Sequence, residues 1–206
     1  MQEDEVKSIL SQKLHFSNDQ IENLDTFCQE LIKFNKSYNL ISNSTVPNIW
    51  SRHVLDSAQI IKHINFDNSG SLSDLGTGAG LPGMVIAIYN KNPNFHVKLY
   101  EKSKVKCQFL MKVANILGIK VEIINQNVNN IEIYTEYVVC RAYKKLEEIM
   151  KVSRERIKVN HRLIILKGKS AENEIKMLSE KLEYRYELIG SITNKESKII
   201  LIDIKK

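Results

Sequence analysis

Cysteine is too scarce in this sequence to build a stabilising framework. The chain has 206 residues and three cysteines, Cys28, Cys107 and Cys140, which are far apart and include no C-x-x-C pair. This spacing indicates neither a disulfide framework nor a zinc site. We therefore expect three buried free thiols, no bound metal, and a fold that is stabilised by an ordinary hydrophobic core.

Long apolar segments are also missing. No apolar run approaches the ~18 residues that a membrane-spanning helix needs, and the chain begins with MQEDEV, which is acidic where a secretory signal would be basic. We therefore expect a cytoplasmic protein without a membrane partner. A content of 43% hydrophobic and 26% charged residues suits a globular domain and excludes disordered and fibrous classes.

Positive charge is unevenly distributed along the chain. Residues 1–150 contain 16 Lys/Arg and 16 Asp/Glu, whereas residues 151–206 contain 14 and 8, so the formal net charge of +6 lies in the last quarter. Within it, residues 151–169 include seven basic residues and one acid, Glu155. Such a run is either a phosphate-binding surface or a solvated helix face.

The N-terminal third has helical periodicity. The sequence S-N-D-Q at residues 17–20 fits a capping box, and apolar residues then recur at three- and four-residue spacing, which predicts a helix over 18–36. After a break at 43–47, apolar residues predict a second helix over about 49–64.

From residue 71 onward, short apolar runs alternate with amphipathic segments. This alternation predicts an α/β fold with a mostly parallel, doubly wound sheet. Residues 184–193 and 197–206 follow each other without room for a helix, which predicts an antiparallel hairpin at one edge. We expect a single domain over residues 1–206, with an N-terminal helical lobe at 1–66 and a Rossmann-like core at 71–206. The predicted strands contain SLSDL, HVKLYE, VEII, YVVC and RLIIL, and the predicted helices begin at Pro82, begin at Ser103, and span about 143–153 and 170–183.

Glycine is concentrated at the first strand-to-helix turn of this core. The chain has eight glycines, and Gly76, Gly78, Gly80 and Gly83 lie within the one stretch SLSDLGTGAGLPGMVIAIY. Glycine permits positive φ angles and close backbone approach, and this turn is the usual ligand contact of an open parallel sheet. The stretch therefore predicts a nucleotide-like ligand.

Two ligands fit the glycine pattern. The G-x-G-x-x-G pattern from Gly78 matches dinucleotide-binding proteins, and the D-x-G-x-G-x-G pattern from Asp74 matches S-adenosylmethionine enzymes. Both predict an acid that binds ribose hydroxyls at the end of the second strand, where Glu101 lies. Asp74 favours S-adenosylmethionine because a carboxylate there would repel a pyrophosphate, but it can also brace the loop without ligand contact.

The order of five segments resembles one known family. FNKSYNLIS, SRHVLDS, DLGTGAGLPG, CRAY and ILKGK are similar to the ordered motifs of the ribosomal RNA small subunit methyltransferase G proteins, also called glucose-inhibited division protein B, over about residues 30–175. The resemblance implies a class I, Rossmann-like methyltransferase that moves a methyl group from S-adenosylmethionine to N7 of a guanine in 16S rRNA. It implies 16S rRNA or the small ribosomal subunit as partner, and we expect a monomer.

The resemblance also assigns candidate cofactor contacts. It places them at Gly76 and Leu81, at Glu101 where most members have Asp, at Arg141 of CRAY, and in the loop after the third strand. This loop often reads Ala-Glu or Val-Glu in the family but reads Val-Asn here, and asparagine can still bond the adenine edge. Together with the glycine pattern, the predicted cofactor-binding residues are Asp74, Gly76, Gly78, Gly80, Leu81, Glu101, Val128, Asn129 and Arg141.

The substrate side is less sharply predicted. Arg52 and Lys167 are candidates for contacts with the RNA, whereas His53 and Asp56 either contact substrate or form a polar staple between the N-terminal helices and the sheet. Guanine N7 has a free lone pair, so we predict no catalytic acid or base. Phosphate-binding candidates are Lys102, Lys104, Lys106 and residues 151–169, and Tyr38 and Trp50 are either base-stacking or core residues.

Three other functions stay open at this level. A methyltransferase that acts on a small molecule or a protein would use the same glycine turn. A nicotinamide-dependent oxidoreductase would also use it, whereas a non-catalytic RNA-binding module would leave the turn unexplained.

Overall fold

The computed structural model describes residues 1–179 and 185–206. The α-helices are α1 (Glu3–Leu14), α2 (Asn18–Asn35), α3 (Asp56–Ala58), α4 (Gly83–Tyr89), α5 (Lys104–Leu117), α6 (Leu146–Arg156) and α7 (Ala171–Ser179). The strands are β1 (Gly70–Leu75), β2 (Phe95–Tyr100), β3 (Glu122–Ile124), β4 (Tyr137–Arg141), β5 (His161–Lys167), β6 (Tyr186–Gly190) and β7 (Lys198–Ile204). Shorter helical turns are Asn43–Asn48, Ile61–His63 and Val128–Asn130, which are 3₁₀, and Trp50–Leu55, which is a π-helix.

The strands form one seven-stranded sheet in the order β3-β2-β1-β4-β5-β7-β6. The pairs among β1 to β5 are parallel, whereas β7 is antiparallel to both β5 and β6. The predicted parallel sheet with an antiparallel edge hairpin is thus confirmed. Strand order reverses between β1 and β4, and in such sheets ligands bind at that switch point, beyond the carboxyl ends of the strands.

Helices cover both faces of the sheet because strand side chains alternate between the faces. Leu72, Leu99 and Ile164 point into one buried cluster that includes the N-terminal helices, α4 and α5. Leu75 and Leu163 point into a second cluster, against α6 and α7. The fold is therefore doubly wound, and the N-terminal segment is part of the same apolar core as one face of the sheet.

The N-terminal segment agrees only partly with the sequence prediction. The capping box is present, since the Gln20 backbone N–H donates to Ser17 Oγ (3.4 Å) and the Ser17 N–H donates to Gln20 Oε1 (2.9 Å). Helix α1 precedes it and was not predicted. The predicted second helix over about 49–64 is not one α-helix: the π-helix, α3 and a 3₁₀ turn follow one another there.

The expectations for the cysteines and for membrane-spanning segments can be compared with the structure. All three cysteines are free and buried, and burial raises the pKa of Cys28 and of Cys140. No helix within residues 1–179 and 185–206 combines the length and apolarity needed to cross a membrane. The predicted end of the last helix near residue 183 lies outside the described residues.

Candidate functional site

The glycine turn joins β1 to α4 in a conformation that favours glycine. Gly76, Gly78 and Gly80 have φ angles of 68°, 60° and 89°, which side chains rarely adopt. A Cβ atom on Gly76 would overlap the Tyr143 ring, whereas one on Gly78 would meet only the Gly76 carbonyl oxygen, at 3.9 Å. The turn is therefore packed on one side and open on the other.

Asp74 braces this turn from inside. Its side chain has no exposed surface, and Oδ2 accepts hydrogen bonds from Thr77 Oγ1 (2.6 Å) and from the Gly83 N–H (2.8 Å). Burial raises the pKa of Asp74 to about 6, although the bonds from Thr77 and Gly83 oppose the rise. Asp74 thus ties the start of the turn to its end, as the loop-bracing hypothesis expects. Leu81 is likewise buried, and its N–H donates to the Thr77 carbonyl oxygen.

Glu101 lies directly after β2, beside the glycine turn. Its Oε2 accepts from the Gly78 N–H (3.1 Å), and its Oε1 accepts from the Ser103 N–H (2.8 Å). A cavity of about 410 Å³ opens here, and we call it the cofactor cavity. Four predicted cofactor residues line it together: Gly76, Glu101, Val128 and Asn129.

Arg141 lies outside that cavity, in a partly buried polar network. Its Nη1 donates to Asp56 Oδ2 (3.2 Å) and to the Arg52 carbonyl oxygen (3.1 Å), and its Nη2 donates to His53 Nδ1 (2.9 Å). Thr45 Oγ1 donates to the Ser42 carbonyl oxygen (2.7 Å), so it accepts the His53 Nε2 proton (2.8 Å). These bonds assign a neutral His53, and burial followed by the Arg141 and Arg52 charges lowers its pKa to about 4.

The same network extends to the edge hairpin. Asp56 Oδ1 accepts from Thr193 Oγ1 (2.8 Å) and from Gln59 Nε2 (2.9 Å). Gln59 also donates to Ser191 Oγ (3.0 Å) and accepts from the Ile192 N–H (3.0 Å). His53 and Asp56 therefore form the polar staple that was one of the two sequence interpretations, and it connects three separate parts of the chain.

A second cavity, of about 610 Å³, lies on the other side of the segment that follows β4, and we call it the acceptor cavity. Ala142, Tyr143 and Lys144 line both cavities and separate them. The remaining lining residues of the acceptor cavity come from the π-helix region, the end of β4, the start of α6, the end of β5 and the edge hairpin. They include Arg52, His53, Asp56, Arg141, Lys145, Lys167, Ser191, Thr193 and Lys198.

Lys167 reaches this wall at the carboxyl end of β5, as predicted, but its ammonium is already bonded. Nζ donates to Glu174 Oε2 and to the Lys144 carbonyl oxygen, both at 2.7 Å. Glu174 also accepts from the Leu146 N–H (2.6 Å) and from Ser170. Burial opposes ionisation of Glu174, but these bonds hold its pKa below the usual range. Lys167 thus holds the segment between the two cavities in place.

The basic run at residues 151–169 does not form one surface at the site. Arg162, at the amino end of β5, pairs with Asp203 (2.7 Å), and Lys151 pairs with Glu155 (3.9 Å). Five residues at ~3.3 Å per residue separate Arg162 from Lys167 by about 16 Å along the strand. Most of the run therefore lies towards the opposite end of the sheet from the cavities.

Other basic residues surround the two cavities instead. Lys102 and Lys106, two of the predicted phosphate contacts, line the cofactor cavity. Lys144, Lys145 and Lys198 line the acceptor cavity, and sequence reasoning did not find them. Of the two aromatic candidates, Trp50 is buried in the core, whereas Tyr38 is exposed and stacks on Phe34 at 4.8 Å between ring centroids.

The family of the chain follows from comparison with known proteins. The family model described as rRNA small subunit methyltransferase G matches residues 20–201. The chain belongs to the rRNA small subunit methyltransferase G family. The protein named Ribosomal RNA small subunit methyltransferase G from Rickettsia prowazekii (strain Madrid E) is 39% identical over 183 residues, 89% of this chain and 93% of the relative. Its namesake from Rickettsia typhi (strain ATCC VR-144 / Wilmington) is 38% identical over the same coverage.

Solved structures agree on the fold. A SAM-dependent methyltransferase from Aquifex aeolicus has a TM-score of 0.59 at 14% identity and covers 85% of this chain and 97% of its own. Precorrin-6y C5,15-methyltransferase from Geobacter metallireducens GS-15 has a TM-score of 0.55 at 13% identity and covers 82% of this chain and 92% of its own. As a member of the rRNA small subunit methyltransferase G family, the chain is an rRNA methyltransferase that uses S-adenosylmethionine, and the nicotinamide alternative is set aside.

The cofactor cavity fits this methyl donor. The glycine turn borders the cavity through Gly76. Glu101 lies at the end of the second strand, where an acid binds ribose hydroxyls in such folds. Val128 and Asn129 lie in the loop after β3, so the cavity spans the carboxyl ends of three adjacent strands.

Proposed function

We propose that this member of the rRNA small subunit methyltransferase G family methylates N7 of a guanine in the 16S rRNA of the small ribosomal subunit. One observation carries the proposal: the cofactor cavity and the acceptor cavity meet at Ala142, Tyr143 and Lys144. This meeting point lies beyond the carboxyl ends of β1 and β4, where the strand order reverses.

The hydrogen bonds of the residues that line the acceptor cavity support N7 as the acceptor atom. Among the described residues that line it, Asp56 is the one carboxylate and His53 the one imidazole. Both oxygens of Asp56 and both ring nitrogens of His53 are hydrogen-bonded within the protein. Neither is free to accept a substrate proton, so the site suits an acceptor atom that has a lone pair and no proton to lose.

The chemistry balances without a general base. S-Adenosylmethionine supplies an electrophilic methyl group on a positively charged sulfur. Held by Glu101, Val128 and Asn129, it would give this methyl group to the N7 lone pair, with the electron pair of the sulfur–methyl bond left on sulfur and the positive charge passed to the base. The contribution of the protein is orientation, which can lower the barrier by roughly 7–11 kcal/mol in well-aligned reactions.

Each predicted cofactor residue has a place in this scheme. Glu101 would bind the ribose hydroxyls, and Val128 and Asn129 would border the adenine, whose edge an asparagine amide can both donate to and accept from. Asp74, Gly80 and Leu81 would support the turn, and Gly76 and Gly78 would contact the methionine end through their backbone. Arg141 would hold the wall between the two cavities through Asp56 and His53.

Substrate class, assembly and location follow from the same arrangement. Arg52, Lys144, Lys145 and Lys198 place positive charge around the acceptor cavity, which suits a polyanion. We infer that the chain works as a monomer. We further infer that it works in the cytoplasm, where small ribosomal subunits are found.

The test is a methylation assay on small ribosomal subunits from cells that lack this activity. Subunits and radiolabelled S-adenosylmethionine are incubated with the protein, and the label is mapped by strand cleavage specific for 7-methylguanine. We expect label at one guanine. Arg141→Gln should lower the rate, while Arg154→Gln, at an exposed position on α6, should not. Unlabelled RNA from a protein that still binds the cofactor would show that the acceptor is not RNA.

A further inference from the structure

We propose that Tyr143 is the residue on which the target guanine stacks while its N7 atom is methylated. This inference rests on the proposed function and goes beyond it, because it names the group that recognises the base. It makes Tyr143 a contact residue of the acceptor, separate from the residues that hold the cofactor.

The position of Tyr143 is the first argument. Its half-buried side chain lines both the cofactor cavity and the acceptor cavity. Among the described residues that line the acceptor cavity, it is the only Phe, Tyr or Trp side chain. A purine that enters this cavity and approaches the methyl donor must therefore pass this ring.

The backbone conformation of Ala142 supports a role of Tyr143 at the site. Ala142 has a φ angle of 48°, one of two positive values at non-glycine residues in the described parts of the chain. Such a conformation costs about 1–3 kcal/mol and persists only where the surroundings enforce it. Here the consequence is that the chain turns directly after β4 and directs Tyr143 back towards Gly76.

The ring of Tyr143 has a fixed neighbour and a displaceable one. It packs on Gly76, where the missing side chain makes room for the ring. Lys144 Nζ lies 5.5 Å from the ring centroid. Lys144 also pairs with Glu148 at 3.4 Å, so it has a second partner and can leave the ring when a base arrives.

The charge change of the reaction fits an aromatic platform. Methylation at N7 gives the guanine a positive charge, and a cation over an aromatic face is attracted by the ring quadrupole. The ring would therefore bind the methylated base better than the unmethylated one and would favour the charge as it develops. Burial raises the pKa of Tyr143 to about 12, so the phenol stays protonated, and the face of the ring is the group that matters.

The decisive experiment compares two replacements of this side chain. Tyr143→Phe keeps the ring, and Tyr143→Leu removes the ring but keeps an apolar side chain. Loss of a base-stacking contact should lower kcat/KM for unmethylated small subunits by about 5- to 150-fold in the Leu variant. The Phe variant should stay within about threefold of the wild type. Tyr134→Leu, at a 58% exposed tyrosine before β4, is the matched control.

Measuring cofactor affinity distinguishes base stacking by Tyr143 from a purely structural role in the wall of the cofactor cavity. Calorimetric titration with S-adenosylmethionine should give Kd values within about twofold for the wild type and all three variants. A parallel titration with 7-methylguanosine monophosphate and guanosine monophosphate is made in the presence of S-adenosylhomocysteine. The wild type, the Tyr143→Phe variant and the Tyr134→Leu control should bind the methylated nucleotide more tightly, whereas Tyr143→Leu should not.

The outcomes are distinct. Wild-type kcat/KM in the Leu variant would overturn the proposal, and so would equal losses of cofactor affinity in the Phe and Leu variants. If the wild type leaves RNA unlabelled, the proposed function fails first, and the nucleotide titration then still reports on the ring itself.

Discussion

Arg141, at the end of β4, and Asp56, at the start of α3, form an ion pair with 3.2 Å between Nη1 and Oδ2 and with side chains that are only 16% and 17% exposed. The two residues are 85 positions apart in the sequence. The pair connects the N-terminal helical segment to the switch point of the sheet, so the wall between the two cavities depends on a contact with the N-terminal segment.

A double-mutant cycle should detect this coupling. Asp56→Asn, Arg141→Gln and the double variant are compared with the wild type by urea unfolding. Because the two groups share one partly buried bond, the coupling free energy should be about 1–3 kcal/mol. The pair Arg162→Gln and Asp203→Asn, which is more exposed (40% and 65%), should couple by less than about 1 kcal/mol. Additive effects at the buried pair would contradict the expected link.

His53 should make stability depend on pH. Its pKa is about 4 in the folded protein against an ordinary 6.5, so between these values the unfolded chain binds more protons than the folded one. The stabilising contribution of neutral His53 is therefore complete above pH 6.5 and is lost as pH falls to about 4. The side chain is partly exposed, so the loss should be on the order of 1 kcal/mol.

The variant His53→Asn isolates this effect, because its Oδ1 can accept the Arg141 bond without titrating. Denaturant unfolding at pH 7.5 and pH 5 should show a smaller acid-induced loss in the variant than in the wild type. The comparison is needed because Asp74, whose pKa is raised to about 6, contributes with the opposite sign and favours the folded state as pH falls. Equal losses of stability in wild type and variant would show that the pKa of His53 is the same in the folded and the unfolded protein.

Gly76→Ala should damage both stability and cofactor binding. The new Cβ has to adopt a φ angle near 68° and also overlaps the Tyr143 ring. Gly118→Ala is a matched control, because Gly118 has a φ angle of 62° and nothing lies within 4 Å of its Cβ position. The control should lose about 1 kcal/mol of stability, while Gly76→Ala should lose more and should also bind S-adenosylmethionine at least about tenfold more weakly. Equal behaviour of the two variants would rule out a role for the overlap.

Lys167→Met should lower the rate of methylation without weakening the binding of the cofactor. It removes the hydrogen-bond donor to the Lys144 carbonyl oxygen and leaves Glu174 without its cation, which should cost about 1–3 kcal/mol of stability. Displacement of the segment between the two cavities should lower kcat by about 10- to 100-fold. Lys169→Met changes an exposed residue two positions further along the chain. This variant should keep the wild-type stability and kcat. Unaltered kcat in Lys167→Met would remove this residue from the site.

Salt dependence should reveal which basic residues contact the RNA. The double variant Lys102→Gln/Lys106→Gln should reduce the slope of log K against log salt by about 1.4–1.8 for subunit binding, since each phosphate contact contributes about 0.7–0.9. The matched variant Lys151→Gln/Arg154→Gln should keep the wild-type slope. Its two residues lie on α6, in the basic run that lies mostly towards the opposite end of the sheet from the two cavities. The reverse result would place the RNA against α6.

The parts of this protein that depend on local pattern could be predicted from the sequence. The capping box at Ser17, the glycine turn and the parallel strands follow from spacing within a few residues, and all are present. Glu101 could be placed beside the turn because the end of a second parallel strand is adjacent to the end of the first.

The parts that depend on tertiary contacts could not be predicted in this way. The basic run was predicted from linear charge, but a strand carries Arg162 and Lys167 to opposite ends of the sheet. The sequence left two interpretations of Asp74 open, and the folded structure shows the bonds by which it braces its own loop. Tyr143 belongs to the CRAY motif but received no role from it, Lys198 lies in no motif, and only the folded chain places the two at the same cavity.

The bond between Asp56 and Thr193 joins residues 137 positions apart, and this has a consequence for the order in which the enzyme matures. A ribosome that synthesises this chain releases the glycine turn and Glu101 long before residues 191–193. A nascent chain can thus complete the cofactor side of the site early, but it has no closed acceptor cavity until the edge hairpin has been translated and has docked. Acceptor binding therefore has to wait until residues 191–193 have been translated and have bonded to Asp56 and Gln59.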